Sequence, residues 1–135
     1  MSKDTAAECP QTRLGAGIAQ IRVVMMPRDT NAMGNIFGGV ILSHIDLAAA
    51  EHCRGIAANQ YVTKIVREVD FIAPVQVGDI VSFSTETIKV GKTSISVRVN
   101  VTAERGLERS LAIPVTTAEL VMVAVDERGK PKSVA

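Results

Sequence analysis

From Ser94 to Ala103, Ile95, Val97, Val99 and Val101 alternate with Ser96, Arg98, Asn100 and Thr102, the period of a strand with one buried face and one wetter face. The same reading predicts four further strands. Ile18 to Met26 mixes Ile, Val and Met with Gln20 and Arg22 and stops at Pro27; residues 61–72 are rich in Val, Ile and Phe and end before Pro74 and the Gly78-Asp79 turn. Ile80 to Val90 follows, and Val90-Gly91-Lys92-Thr93 reads as a hairpin into the alternating strand. Arg105 to Ser110 is a charged loop around Gly106. Val115 to Val125 carries apolar residues on both parities toward its end, which places it inside the sheet with cover on both sides.

Asn31 to Ala58 breaks the alternation. Asn31, Gly34 and Asn35 mark a tight turn, Gly38-Gly39 allows a close backbone approach, and no proline or glycine follows Val40 until Gly55. A helix of about four turns is expected. Asp46 lies in its middle, with Leu42, Ala49, Ala50 and Cys53 at the spacings that share its face. A mid-helix aspartate is a poor helix former and is costly to bury ionised without a partner. Two readings stay open: a solvated face on which Asp46 pairs loosely with Arg54 or a lysine, or an acid kept there for chemistry. His44 and His52 stand two residues before and six after Asp46, off its face, so they read as solvated or packed helix histidines.

Composition narrows the class. With 135 residues, 47% hydrophobic and 21% charged, the chain makes one ordinary globular domain, expected over residues 18–126, between an N-terminal tail (1–17), disordered in this reading, and a polar C-terminal tail (127–135). A net charge of +1, no Trp, one Tyr and three Phe leave neither an electrostatic footprint nor a stacking platform for nucleic acid. Cys9 and Cys53 lack metal-ligand spacing, so no metal is implied and both read as free thiols in a reducing compartment. No stretch resembles a signal peptide or a membrane span, and a cytoplasmic location is the expectation.

One helix and about five strands make an α+β domain whose sheet must wrap the helix, since nothing else can cover its apolar face. Exposed sheet edges favour pairing with a second copy, so a homodimer is the expected minimum. The serine-nucleophile elbow, the phosphate-cradling loop and the dinucleotide fingerprint are all missing from the sequence. That leaves chemistry needing few residues.

Several blocks then carry a resemblance: Met26-Pro27-x-Asp29-Thr30-Asn31-Ala32-x-Gly34-x-Ile36-Phe37-Gly38-Gly39, Ser43-x-x-Asp46, Phe71-x-x-Pro74-Val75-x-Val77-Gly78-Asp79, Lys89-x-Gly91-Lys92-Thr93-Ser94, and Val123-Ala124-Val125-Asp126-x-x-Gly129-Lys130-Pro131. In this order, over roughly residues 18–132, the chain resembles the hotdog-fold acyl-CoA thioesterases, most closely the bacterial YciA-type hydrolases. The resemblance implies a curved antiparallel sheet around one helix and a dimer joined edge to edge. It also implies hydrolysis of fatty acyl-CoA between the two subunits, and further assembly as a trimer of dimers, a hexamer. CoA is part of the substrate and product, and no cofactor is implied.

By position, the resemblance makes Asp46 the catalytic carboxylate, either activating water or attacking the thioester itself. In a dry site a carboxylate is a stronger proton acceptor near neutral pH than a free one. The Gly38 and Gly39 amides at the helix start become the oxyanion donors, where the helix dipole favours developing negative charge. Asn31 assists from the partner subunit, although it also reads as a plain turn residue; Phe37 closes the pocket or packs in the core. For the CoA phosphates, the hairpin residues Lys92, Thr93 and Ser94 are the candidates, with Lys64 and Arg67 behind them.

The chain departs from the common pattern of that family at Asn35, where many members have aspartate, at Val40, where tryptophan is frequent, and at Ala73, where a lysine or arginine usually precedes the proline. The second bears on pocket shape and acyl length, the third on CoA phosphate binding. Two alternatives remain on the same fold: a non-catalytic acyl-CoA binder or sensor, and a hydratase or dehydratase, which would resemble proteins with a histidine before Ser43.

Overall fold

The computed structural model describes residues 17–107 and 112–135. In chain order it consists of β1 (Ile18–Val24), a 3-10 turn (Pro27–Asp29), α1 (Gly38–Ile56), β2 (Gln60–Phe71), β3 (Ile80–Val90), β4 (Ser94–Glu104) and β5 (Ala112–Val125). The strands form one antiparallel sheet in the order β1-β3-β4-β5-β2. α1 packs against all five strands. This is the expected hotdog arrangement.

The alternation of β4 works as its sequence implies. Ile95, Val97, Val99 and Val101 are buried, while Ser96, Arg98, Asn100 and Thr102 remain partly exposed. Against the buried face lies the helix stripe Ile41, Ile45, Ala48, Ala49 and Cys53. Each fully buried Ile, Val or Leu here is worth roughly 1.5–3 kcal/mol relative to exposure. β5 sits between β4 and β2, as its double-parity apolar run indicates.

α1 starts at Gly38 and continues through Gly55 to Ile56, longer than its glycine suggests. The stop falls at Ala57, whose N–H still makes the last helical bond to Cys53 O at 3.1 Å while its own backbone turns extended and its carbonyl accepts the Tyr61 hydroxyl at 2.9 Å. β1 ends at Val24 because the next amide, that of Met25, turns to Asp79 O (2.9 Å).

The Gly78-Asp79 turn holds more than a change of direction. Asp79 is fully buried, and its carboxylate accepts Arg105 Nε and Nη2, both at 2.9 Å, as well as the Gln76 N–H at 2.9 Å. Arg105 is 37% exposed and Asp79 is not, so losing Arg105 leaves the carboxylate buried without its charged partner, the costly side of such a pair. The pair fixes the loop from Phe71 to Asp79, which in turn borders the start of α1.

The N-terminal tail expected over residues 1–17 lies, apart from Gly17, outside the described residues. The C-terminal segment folds back on the domain. Lys132 N–H donates to Ala124 O at 2.9 Å and Val134 N–H to Lys92 O at 2.8 Å, and the Val134 side chain is buried.

Candidate active site

The polar turn before α1 is held by Asn31. Its Oδ1 accepts the N–H groups of Met33 (2.9 Å) and Asn35 (3.2 Å), and its own N–H donates to Asn35 O at 2.7 Å. A bridge between Thr30 and Ile36 closes the loop, and Ile36 N–H donates to Val75 O at 2.9 Å, tying it to the Phe71–Asp79 loop. Asn31 thus acts as a turn residue through its oxygen. It also lines, with Gly38, Ile41, Phe71, Ile72 and Pro74, a cavity of about 340 Å³.

Phe37 caps α1 with extended backbone and no side-chain bond to the first turn. Val40 N–H finds Phe37 O at 3.0 Å; the Gly38 and Gly39 amides precede it as helix-start donors with no partner inside the helix. A Cβ on Gly39 would stand 2.4 Å from the Phe37 ring. Glycine is therefore what lets that ring lie across the first turn. Phe37 is 56% exposed, so the core reading of this residue is set aside.

Asp46 is exposed in the single chain, as are Leu42 and Leu47. Its expected neighbours divide: Ala49 and Cys53 turn into the core while Leu42 and Asp46 do not. Cys53 stands at nearly the same angle around the helix as Asp46 but at another height, where the domain covers it. Burial pushes its thiol up to about 12. At the level of Asp46 the hydrogen-bonding neighbour is Thr63 of β2, whose hydroxyl donates to Asp46 Oδ1 and also lies 3.6 Å from Met122 Sδ. The pairing of Asp46 with Arg54 does not form; Arg54 bonds Glu51 instead.

Thr63 is the site residue that sequence reasoning missed. Its one signal is a hydroxyl-bearing residue within the Val-rich run of an edge strand, and only the helix packed beside that strand makes it informative.

The candidates do not all converge in one subunit. Seven residues separate Gly39 from Asp46, about 10 Å along the helix axis, too far for both to act on one carbonyl. Arg67 pairs across the sheet with Glu119, in a rung continued by Arg98 and Glu86. Arg98 lies 3.3 Å from Glu119 and 3.8 Å from Glu86, on the face turned away from α1. Lys64, Thr93 and Ser94 line a separate cavity of about 400 Å³ with Val121, Gly129 and Pro131. Lys92 is exposed at the hairpin tip.

Both histidines face β3 rather than Asp46. His44 stacks on Phe83 with ring centroids 5.3 Å apart, and its Nδ1 lies 2.8 Å from Val40 O. The His52 ring nitrogens lie 2.8 Å from Thr85 Oγ1 and 2.7 Å from Thr87 Oγ1, and burial lowers its pKa. Among the described residues no group of three or more His, Cys, Asp or Glu side chains is placed to hold a metal ion, and no helix is long and apolar enough to cross a membrane.

A single helix wrapped by an antiparallel sheet, with a carboxylate on the helix seam and unpartnered glycine amides at its start, defines the hotdog class. Comparison with known proteins takes this further. The family model described as the thioesterase superfamily matches residues 33–110. Acyl-CoA thioester hydrolase YciA of Salmonella typhimurium is 38% identical over 114 residues, 83% of this chain and 86% of that protein. Cj0915, a hexameric hotdog fold thioesterase of Campylobacter jejuni, is 43% identical with a TM-score of 0.81, covering 88% of this chain and 91% of that one. The aspartate-to-alanine mutant of HI0827, a hexameric broad specificity acyl-coenzyme A thioesterase, is 36% identical with a TM-score of 0.83, covering 88% and 87%. The chain belongs to the thioesterase superfamily and, within it, to the YciA-type acyl-CoA thioester hydrolases.

Proposed function

We propose that the protein hydrolyses fatty acyl-CoA to free fatty acid and CoA, with Asp46 acting at the thioester carbonyl, the Gly38 and Gly39 amides polarising it, and Asn31 assisting from the partner subunit. The observation that carries this reading is the position of Asp46, exposed on the helix at the seam with β2 and bonded to Thr63. The Thr63 hydroxyl holds Oδ1 and leaves Oδ2 for the reacting group.

The separation of about 10 Å between Gly39 and Asp46 is resolved by a second subunit. A two-fold axis that pairs β2 with its copy sets the two helices antiparallel, bringing the glycine end of one toward Asp46 of the other. Val62, Ile65, Val66 and Phe71 are exposed along β2, and pairing would cover them and satisfy the free edge. The partner also supplies the dry surroundings that Asp46 lacks in the single chain. The hexameric relatives support further assembly as a trimer of dimers.

Water adds to the carbonyl carbon as Asp46 takes its proton, or a carboxylate oxygen adds first and water then cleaves the anhydride. In both courses the C–S bond breaks and the leaving thiolate takes up a proton as free CoA. The growing negative charge on the carbonyl oxygen falls to the glycine amides; one such donor is typically worth about a hundred- to a thousand-fold in rate.

The test is release of free thiol from short-, medium- and long-chain acyl-CoA by native protein and by Asp46→Ala. Native protein should release thiol, and the variant should lose about a hundred- to ten-thousand-fold while keeping its oligomeric state. Full activity in Asp46→Ala would overturn the mechanism, and binding without release by native protein would make the chain a binder.

A further inference from the structure

Asp79 is fully buried, yet its carboxylate bonds to none of the groups assigned to the reaction. Apolar side chains of similar volume often stabilise a core as well as a buried ion pair does, so stability alone does not call for a carboxylate here. What a carboxylate adds is direction. Both of its oxygens accept from Arg105, Nε on Oδ1 and Nη2 on Oδ2, and Oδ2 accepts the Gln76 N–H as well, each at 2.9 Å. Arg105 Nη2 also donates to Pro74 O at 3.3 Å. A planar guanidinium fork suits two carboxylate oxygens and a neighbouring carbonyl together; an ammonium, a point charge on a flexible stem, does not.

These bonds bracket Val75. Pro74 before it is held by Arg105, and Gln76 after it by Asp79. The carbonyl between them, Val75 O, accepts the Ile36 N–H at 2.9 Å, and the Val75 and Ile36 side chains are both buried. One residue on, the Phe37 N–H donates to Asp29 O at 2.8 Å, and α1 starts at Gly38. The same loop returns to that start through Phe71, whose ring stands 3.7 Å from where a Cβ on Gly38 would lie. The other end of the clamp is tied down as well. Met25 N–H donates to Asp79 O at 2.9 Å and Gly78 N–H to Met25 O at 2.8 Å, just past the end of β1. A short series of hydrogen bonds and peptide links thus joins the Arg105 guanidinium to the glycine amides.

We propose that Arg105 is a positioning residue for the thioester carbonyl: through Asp79 and residues 74–76 it sets where the Gly38 and Gly39 amides stand. The inference rests on the acyl-CoA reading above, which gives those amides the carbonyl oxygen. Such donors stabilise the developing charge when they lie about 2.7–3.1 Å from the place the oxygen takes up in the transition state. A misplacement of about 1 Å caused by a change far from the chemistry can cost about a hundred-fold in rate. The hydrogen bond between Thr63 and Asp46 belongs to β2 and the middle of α1, so the clamp acts on the carbonyl and not on the carboxylate.

The test uses Arg105→Lys, which keeps a charge beside Asp79 and loses the fork, with Val97→Ala in the buried face of β4 as a control that weakens the core away from the clamp. For Arg105→Lys, kcat on a medium-chain acyl-CoA should fall about ten- to a hundred-fold, with KM little changed and the pH dependence of kcat as in native protein. That is the pattern of an interaction made in the transition state. Val97→Ala should lower the urea midpoint and leave kcat in place. The direct readout is the infrared stretch of an isotope-labelled thioester carbonyl bound to Asp46→Ala, which keeps the substrate whole. It should lie at lower frequency than in free acyl-CoA, and adding Arg105→Lys should return it toward the free value. Unchanged kcat in Arg105→Lys, a carbonyl frequency that it leaves in place, an equal loss of kcat in Val97→Ala, or an Arg105→Lys chain that does not fold where Val97→Ala does would each overturn the proposal. If native protein cleaves no thioester, the hydrolase reading falls, and the positioning stands only if the bound carbonyl shifts and Arg105→Lys reverses that shift.

Discussion

β1 closes one edge of the sheet with seven residues and β2 the other with twelve, and they meet solvent differently. On β1 a charge occupies the edge: Arg22 reaches the buried Glu104 at 2.5 Å, and the register with β3 shifts between Ala19 and Ile21. Short length and an inward-reaching charge are usual ways of finishing an edge against unwanted pairing; register shifts occur on both edges, two of them on β2. β2 instead exposes Val62, Ile65, Val66 and Phe71, beside Leu42 and Leu47 on the helix. Contiguous apolar surface of this kind marks an interaction face. Of the candidate catalytic groups, Thr63 lies on this edge and Asp46 on the helix beside it, so the surface open to a partner also holds the candidate site.

A charge placed on each edge in turn should affect the two strands very differently. Val66→Lys should dissociate the oligomer and abolish thiol release, while Val24→Lys on β1 should leave the mass by light scattering unchanged. Equal behaviour of the two variants would end the distinction. A smaller effect is expected from the seam itself: Thr63→Val should lower kcat about ten-fold, the scale of one hydrogen bond to a charged group, with Thr63→Ser restoring it. A drop in both would point to packing rather than to the hydroxyl.

β2 also holds a conformational flaw. Glu68 has φ +58° where the register with β5 shifts between Arg67 and Asp70. Left-handed backbone costs a side-chain-bearing residue about 1–2 kcal/mol, so Glu68→Gly should stabilise the fold by about 1 kcal/mol, offset in part by the freedom glycine has when unfolded. A higher urea midpoint is the readout, and a lower one would mean the Glu68 side chain contributes more than its backbone loses.

The smallest effect belongs to the β1 side. Burial lowers His52 below its ordinary pKa of 6.5, so the folded protein holds the ring neutral and the unfolded chain takes up the proton first. The stability present above pH 6.5 is then lost as pH falls through the folded pKa. His52 contacts Thr85, whose hydroxyl also donates to Ile18 O at 3.3 Å, so protonation loosens the strand that carries β1. The fall in melting temperature between about pH 7.5 and pH 5.5 should be larger in native protein than in His52→Gln; an equal fall would assign the pH dependence to other groups.

Much of the fold was legible. The period of β4, the hairpin at Gly91 and the uninterrupted run after Val40 each reflect a spacing that one element imposes on its own residues. The site was legible as a set of residue types: Asn31, Gly38-Gly39 and Asp46 stand out against their local context. It was less legible as an arrangement. Ala49, Cys53 and Asp46 share a helical angle, yet only the first two are buried, because what covers a helix varies with height along it. Lys64 and Arg67 are close in sequence to Thr63, but a register shift between Thr63 and Ile65 and the alternation of the strand set Arg67 beyond the sheet from Asp46.

The elements, the family and the odd acid on the helix could be read from local stretches, since periodicity, turn chemistry and motif order are properties of neighbouring residues. That Thr63 meets Asp46, that Asp79 is buried against Arg105, and that Arg54 shares a cavity wall with Lys130 and Lys132 came from the packed fold. Each of those pairs joins segments at least seventeen residues apart. Their meeting depends on strand order, register and the side of the sheet on which α1 packs, quantities that no local stretch of sequence contains.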